Sequence, residues 1–115
     1  MYKVIKIGDK DVPMLAVASV NIYCSRIFGL DPLKMVGEDL DTMVGIDLYQ
    51  KLGFLMAKLA ECNKNGSFAP MSELNEDSYI AWLCEIDNGA YMEAAQEIAA
   101  LYIGQNKATS KPKNT

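Results

Sequence analysis

The chain predicts an α+β fold, with an N-terminal β-hairpin packed on a small bundle of about four α-helices. Three observations predict it. Tyr2, Val4, Ile5 and Ile7 precede a Gly8-Asp9-Lys10-Asp11 turn, and Val12, Met14 and Ala16 follow it. Apolar residues after position 45 recur at helical spacing, broken twice by polar, glycine-containing stretches. Half of the 115 residues are apolar, enough for one modest core. One domain over residues 1–103 and a flexible basic tail over residues 104–115 follow from this.

Each element has its own local reason. Gly8 tolerates a positive φ, and the Asp side chains beside it bond nearby backbone, so the first two runs pair as a hairpin. A hairpin of that size cannot stand alone and must pack on helices. Its free edge is available to a neighbouring subunit, so self-association is expected. Ser19 or Asn21 can cap a helix carrying Ile22, Tyr23, Arg26, Ile27 and Phe28. Gly29 suits its left-handed stop, and Asp31-Pro32 opens a brief helical turn. Residues 37–45 hold Glu38, Asp39 and Asp41 and read as a loop. A strong helix follows over residues 46–62, then a break over residues 63–70. Ser72 can cap the next helix, which reaches Ile86 with Tyr79, Trp82, Leu83 and Ile86 on one face and Trp82 at its centre. Asp87-Asn88-Gly89 turns the chain back into a last helix, residues 90–103. That helix carries Tyr91, Ala94, Ala95, Ile98, Leu101 and Tyr102 on one face.

Composition excludes several classes of function. The net charge is −4, but residues 1–106 carry −7 and the last nine residues +3. An acidic body disfavours nucleic acid, because duplex binding rests on neutralising phosphates. No apolar run approaches the ~20 residues of a membrane span. Without a signal peptide, the three scattered cysteines fit a reducing cytoplasm. Cys24 and Cys84 sit in apolar helical runs and are expected in the core.

Catalytic chemistry finds few residues to work with. The chain contains no His, hence no imidazole base, no Ser-His or Cys-His pair and no imidazole metal ligand. The glycines form no phosphate loop. Glu38, Asp39 and Asp41 lack the spacing of a calcium loop, and Glu93 and Glu97 have no partner for general acid/base work. No enzyme activity, cofactor or metal is expected.

Partner contact is better represented. In the helix over residues 46–62, Asp47, Gln50, Lys51, Lys58 and Glu61 gather on one narrow arc, and apolar residues fill over half the circumference. Such a helix is central in the bundle or buries a second face against another chain. Phe54 projects from the polar arc, and Ile80 and Met92 lie off their helices' main faces. These three are the candidate partner-binding residues. The seven methionines suit either core filling or an adaptable apolar surface.

The order of these signals resembles the tail assembly chaperones of long-tailed, siphovirus-type bacteriophages and prophages. That family often opens with strand, Gly turn, strand and small residues, then a helix with a Tyr-basic pair and a Phe-Gly-x-Asp end. Here the pair is loosened to Tyr23-Cys-Ser-Arg26 and the end is Phe28-Gly29-Leu30-Asp31. Its C-terminal half often has an aromatic before Trp-Leu, a polar break, an aliphatic-aromatic helix end and an Asn/Lys/Thr-rich tail. This chain has Tyr79-x-x-Trp82-Leu83, Asp87-Asn88-Gly89, Ala100-Leu101-Tyr102-Ile103 and Asn106-Lys107. The two stretches cover about half the chain, and the break over residues 63–70 is longer than the family needs.

The resemblance implies a non-catalytic binding module of the bacterial host cytoplasm. It would coat the long, helical, apolar tape measure protein during tail morphogenesis. A frameshifted longer form would recruit tail tube protein. Pro112-Lys113-Asn114 permits a slippery heptamer, A AAA AAC or A AAA AAT, at the required codons. The alternative reading is a small helix-turn-helix-like regulator built on the last two helices. Its recognition helix would carry Glu93 and Glu97 and no Lys or Arg over residues 90–103, a poor surface for phosphates.

Overall fold

The computed structural model describes residues 1–35, 42–64 and 74–110, without the side chains of residues 42–44, 64 and 105–110. Among the described residues an antiparallel hairpin is followed by five helices, the second a single turn. Strand β1, Tyr2–Ile7, pairs with β2, Lys10–Leu15, from Tyr2 opposite Leu15 to Ile7 opposite Lys10. Gly8 and Asp9 form the loop, and only Gly8 takes a positive φ, 66°. That sign pattern belongs to the II′ turn, whose twist matches the strands it joins. Ile5, Ile7 and Met14 are buried on one face of the hairpin. Tyr2 and Val4 stand exposed on the other.

Helix α1, Ser19–Phe28, has Ala18 at its N-cap and no side-chain cap. Ser19 and Asn21 already lie inside its first turn, so neither takes the expected capping position. Asn21 instead gives its side-chain amide to the Ala18 carbonyl at 3.4 Å and accepts the Tyr102 hydroxyl on Oδ1. Gly29 ends the helix at φ 68°, its N–H on the Ser25 carbonyl at 3.0 Å. Helix α2, Pro32–Met35, starts where Asp31 Oδ1 accepts the Lys34 N–H at 3.4 Å. The loop acids Glu38, Asp39 and Asp41 lie outside the described residues.

Helix α3, Thr42–Lys64, is the axis of the bundle and touches β2, α1, α4 and α5. Its broad apolar surface is thereby used within one chain. Leu48, Leu52, Leu55 and Met56 are fully buried. Gly53 lets α5 approach closely: a Cβ there would lie 2.9 Å from Ile98 Cδ1. Beside it, the Tyr91 hydroxyl donates to the Gln50 carbonyl at 2.8 Å.

Helix α4, Glu76–Cys84, is capped by Asn75, whose Oδ1 accepts the Ser78 N–H at 2.8 Å. Glu76 and Asp77 follow in the first turn, where acids complement the helix dipole. The expected cap, Ser72, lies outside the described residues. Tyr79, rather than Trp82, is the deepest residue of the α4 face, and Trp82 is half-buried. Cys84 is exposed at the helix end, against the expectation of a core position, whereas Cys24 is buried as expected.

Helix α5, Asn88–Ser110, starts under Asp87, whose Oδ2 accepts the Gly89 and Ala90 N–H groups at 3.1 and 3.3 Å. Tyr91, Ala94, Ile98, Leu101 and Tyr102 form its buried face, as the spacing predicts. The helix continues seven residues beyond Ile103, through the start of the expected tail. Gln, Lys and Ala propagate a helix well, and no proline intervenes before Pro112. Residues 111–115 lie outside the described residues.

Candidate functional site

A groove of about 560 Å³ runs between the hairpin and the C-terminal half of α3. Tyr2, Val12 and Pro13 line it from the hairpin, Ala57 and Ala60 from α3, and Trp82 from α4. Lys58, Glu61 and Asn63 supply its polar lining. Ala57, Ala60 and Glu61 fall at i, i+3 and i+4, so helical geometry sets them on one stripe. The two alanines keep that stripe shallow. Tyr2 is 58% exposed and retains apolar surface for an occupant. The groove's lining is apolar and polar in comparable parts.

Behind Trp82 lies a row of rings drawn from four helices. Phe28 meets Tyr79 at 5.2 Å between centroids, and Tyr79 meets Phe54 at 5.5 Å. Phe54 meets Trp82 at 5.7 Å, and Trp82 meets Tyr91 edge-on at 5.5 Å. Tilted and edge-to-face contacts set positive ring edges against negative ring faces. The row therefore holds Trp82 in a fixed orientation beside the groove. Lys51 lies along it, with Nζ 5.1 Å from the Phe28 centroid and 2.9 Å from Asp47 Oδ2. Its side chain is only 15% exposed. A residue of the polar arc thus covers aromatic surface with its stem and its charge together.

Phe54 is fully buried at the centre of this row. The expectation that it meets a partner is corrected: α4 and Phe28 cover it with Tyr79, Trp82 and the Phe28 ring. Ile80 and Met92 are exposed, at 54% and 48%, on α4 and α5. Neither lines the groove. The groove residues Tyr2, Pro13, Ala57 and Ala60 were not among the sequence candidates. Only Tyr2 had a sequence signal, because Tyr2 and Val4 make β1 apolar on the face opposite Ile5 and Ile7.

Burial pushes the Cys24 thiol up to about 11, opposed by Lys51 and assisted by Asp31 and Asp47. It is protonated at neutral pH and so is a poor nucleophile. Burial likewise raises the Tyr49, Tyr79 and Tyr91 phenols. The Tyr79 hydroxyl is buried without a hydrogen-bond partner among the described residues. Among those residues no cluster of three or more Cys, Asp or Glu could hold a metal ion. No described helix is long and apolar enough to cross a membrane.

Comparison of the chain with protein-family models, with curated proteins and with solved structures found no match.

Proposed function

We propose that this chain is a non-catalytic tail assembly chaperone of a long-tailed bacteriophage or prophage, acting in the host cytoplasm. It holds the apolar, helical tape measure protein in solution until tube subunits replace it. The observation that carries the proposal is the groove, a cleft of mixed apolar and polar lining on a domain whose first 106 residues carry a net −7. Apolar surface takes up a sticky segment while the charge keeps the complex dispersed. Ile80 and Met92 add exposed apolar surface elsewhere on the domain. Many copies on one long partner gain from multivalency, and contacts between copies add to it. A frameshifted longer form would add the contact to tail tube protein.

The test is co-expression with a candidate tape measure protein. The chain should raise the soluble fraction of the tape measure and co-purify with it. Ala57→Arg, which fills the groove from a half-buried position on α3, should abolish both, with circular dichroism checking that the variant folds. A tape measure equally soluble with and without the chain refutes the proposal. Sequencing the gene past its stop codon checks the two-product form: a slippery heptamer at codons 112–114 with an overlapping shifted frame is the expected finding.

The regulator reading gains nothing comparable. Glu93 and Glu97 are exposed on α5, where a recognition helix would need Lys, Arg or amides.

A further inference from the structure

The two edges of the hairpin are not equivalent. Met1 and Ala16 exchange hydrogen bonds in both directions, each at 2.8 Å. In an antiparallel ladder such pairs alternate with pairs whose N–H and C=O groups point away. With the observed register, Lys3, Ile5 and Ile7 of β1 bond to β2, and Tyr2, Val4 and Lys6 direct their main-chain groups outward. On β2 the outward positions are Asp11, Pro13 and Leu15. Pro13 has no N–H, so the middle of that edge cannot donate. The β1 edge contains no proline. Tyr2, Val4 and Lys6 are all exposed, and among the described residues none of their main-chain groups bonds to another element.

We propose that the β1 edge pairs with the β1 edge of a second copy. The strands run antiparallel about a two-fold axis, with Val4 facing the second copy's Val4. Only this centring engages Tyr2, Val4 and Lys6 of both strands at once. Sliding it by two positions either way leaves an outward residue of each strand unpaired. Charge selects the same register. Lys6 falls opposite the second copy's Tyr2, where a cation meets a ring, and Lys3 falls opposite Ile5. A register centred on Lys3 or on Lys6 would instead oppose like charges. Within each copy Lys6 stands opposite Asp11 in the hairpin register, and Lys3 lies 3.9 Å from Glu97. Two marginal two-stranded hairpins become one four-stranded sheet, the size at which a sheet gains independent stability. Tyr2, Val4, Pro13 and Leu15 of both copies then form a continuous outer face. The inference deepens the self-association in the reading above and does not require a tape measure protein.

Two measurements on the full chain test it. Sedimentation should give the mass of two chains. Amide exchange at Val4 and Lys6 should slow at least tenfold from dilute to concentrated protein, whereas Lys3, Ile5 and Ile7 are protected throughout. Val4→Lys and Val4→Glu should each give a single-chain mass, and their equimolar mixture should restore the dimer, because position 4 faces itself. If either variant fails to fold, exchange on the unmodified chain decides alone. Four results on this chain alone overturn the proposal. They are a monomer with fast exchange at Val4 and Lys6, a dimer with fast exchange there, folded variants that stay dimeric, and a mixture that stays monomeric. Protection that appears only when a different protein is added also overturns it, and assigns the edge to that partner. A dimer that leaves tape measure solubility unchanged refutes the chaperone reading alone. A monomer that solubilises tape measure refutes the pairing alone.

Discussion

Phe54→Ala separates a core residue from a docking residue. Phe54 is fully buried and meets the Phe28, Tyr79 and Trp82 rings at 6.5, 5.5 and 5.7 Å. Removing its ring forfeits roughly 2 kcal/mol of transfer free energy and about 1 kcal/mol of ring–ring contact. A cavity cost is added, because four helices meet there and cannot all collapse. The total falls at about 4 kcal/mol, inside the usual range for buried Phe→Ala changes. A domain of this size has roughly 5–15 kcal/mol in all. Tm should therefore drop by about 15–25 °C, if the variant folds at all. Urea and thermal unfolding followed by far-ultraviolet circular dichroism measure the loss. Emission of the single tryptophan, Trp82, reports the neighbouring cavity directly. Ile80→Ala and Met92→Ala are the controls and should stay within about 0.5 kcal/mol of the parent. A Phe54→Ala loss as small as these would refute the burial and restore Phe54 as a surface residue.

Three other perturbations test the packing around it. At Gly53, a valine should destabilise by about 2 kcal/mol, because overpacking against Ile98 exceeds the gain in helix propensity; an unchanged urea midpoint would mean that α3 and α5 are further apart. Tyr79→Phe removes a buried hydroxyl with no partner among the described residues and should raise stability by about 1 kcal/mol, again read from the urea midpoint; a loss would reveal a hydrogen bond. Alkali should weaken the fold through Cys24. Its thiol is raised from 9.0 to about 11, so between those values the folded chain keeps a proton that the unfolded chain has lost. Stability therefore begins to fall as pH rises through 9 and has lost roughly 2–3 kcal/mol above 11. Unfolding of Cys24→Ala across that window should show a shallower slope, the remaining loss coming from the raised tyrosines.

Much of the fold was legible because its signals are local. The Gly8 turn, the Gly29 stop and the buried face of α5 each depend on residues a few positions apart. Phe54 was misjudged because a helical projection treats α3 in isolation. Its polar arc looked like a solvent face, yet Lys51 on that arc lies against the Phe28 and Tyr79 rings. A long cationic side chain can roof an apolar site, so a charged neighbour does not mark water. Cys84 failed for the converse reason: α4 ends there, and the apolar run continues past the last covered turn. The groove could not be read from spacing, because its walls come from β1, β2, α3 and α4.

The strand that begins the chain packs against the helix that ends its described part. The Tyr102 hydroxyl reaches Asn21, and Glu97 lies beside Lys3. Synthesis delivers these elements in the opposite order to their need. Ile5 and Ile7 leave the ribosome long before α5 exists to cover them. The nascent hairpin keeps that face open until α5 has been made, the condition under which incomplete chains associate wrongly. Closure waits for α5, so a chain that stops before Tyr91 leaves its first strand without the helix it packs against.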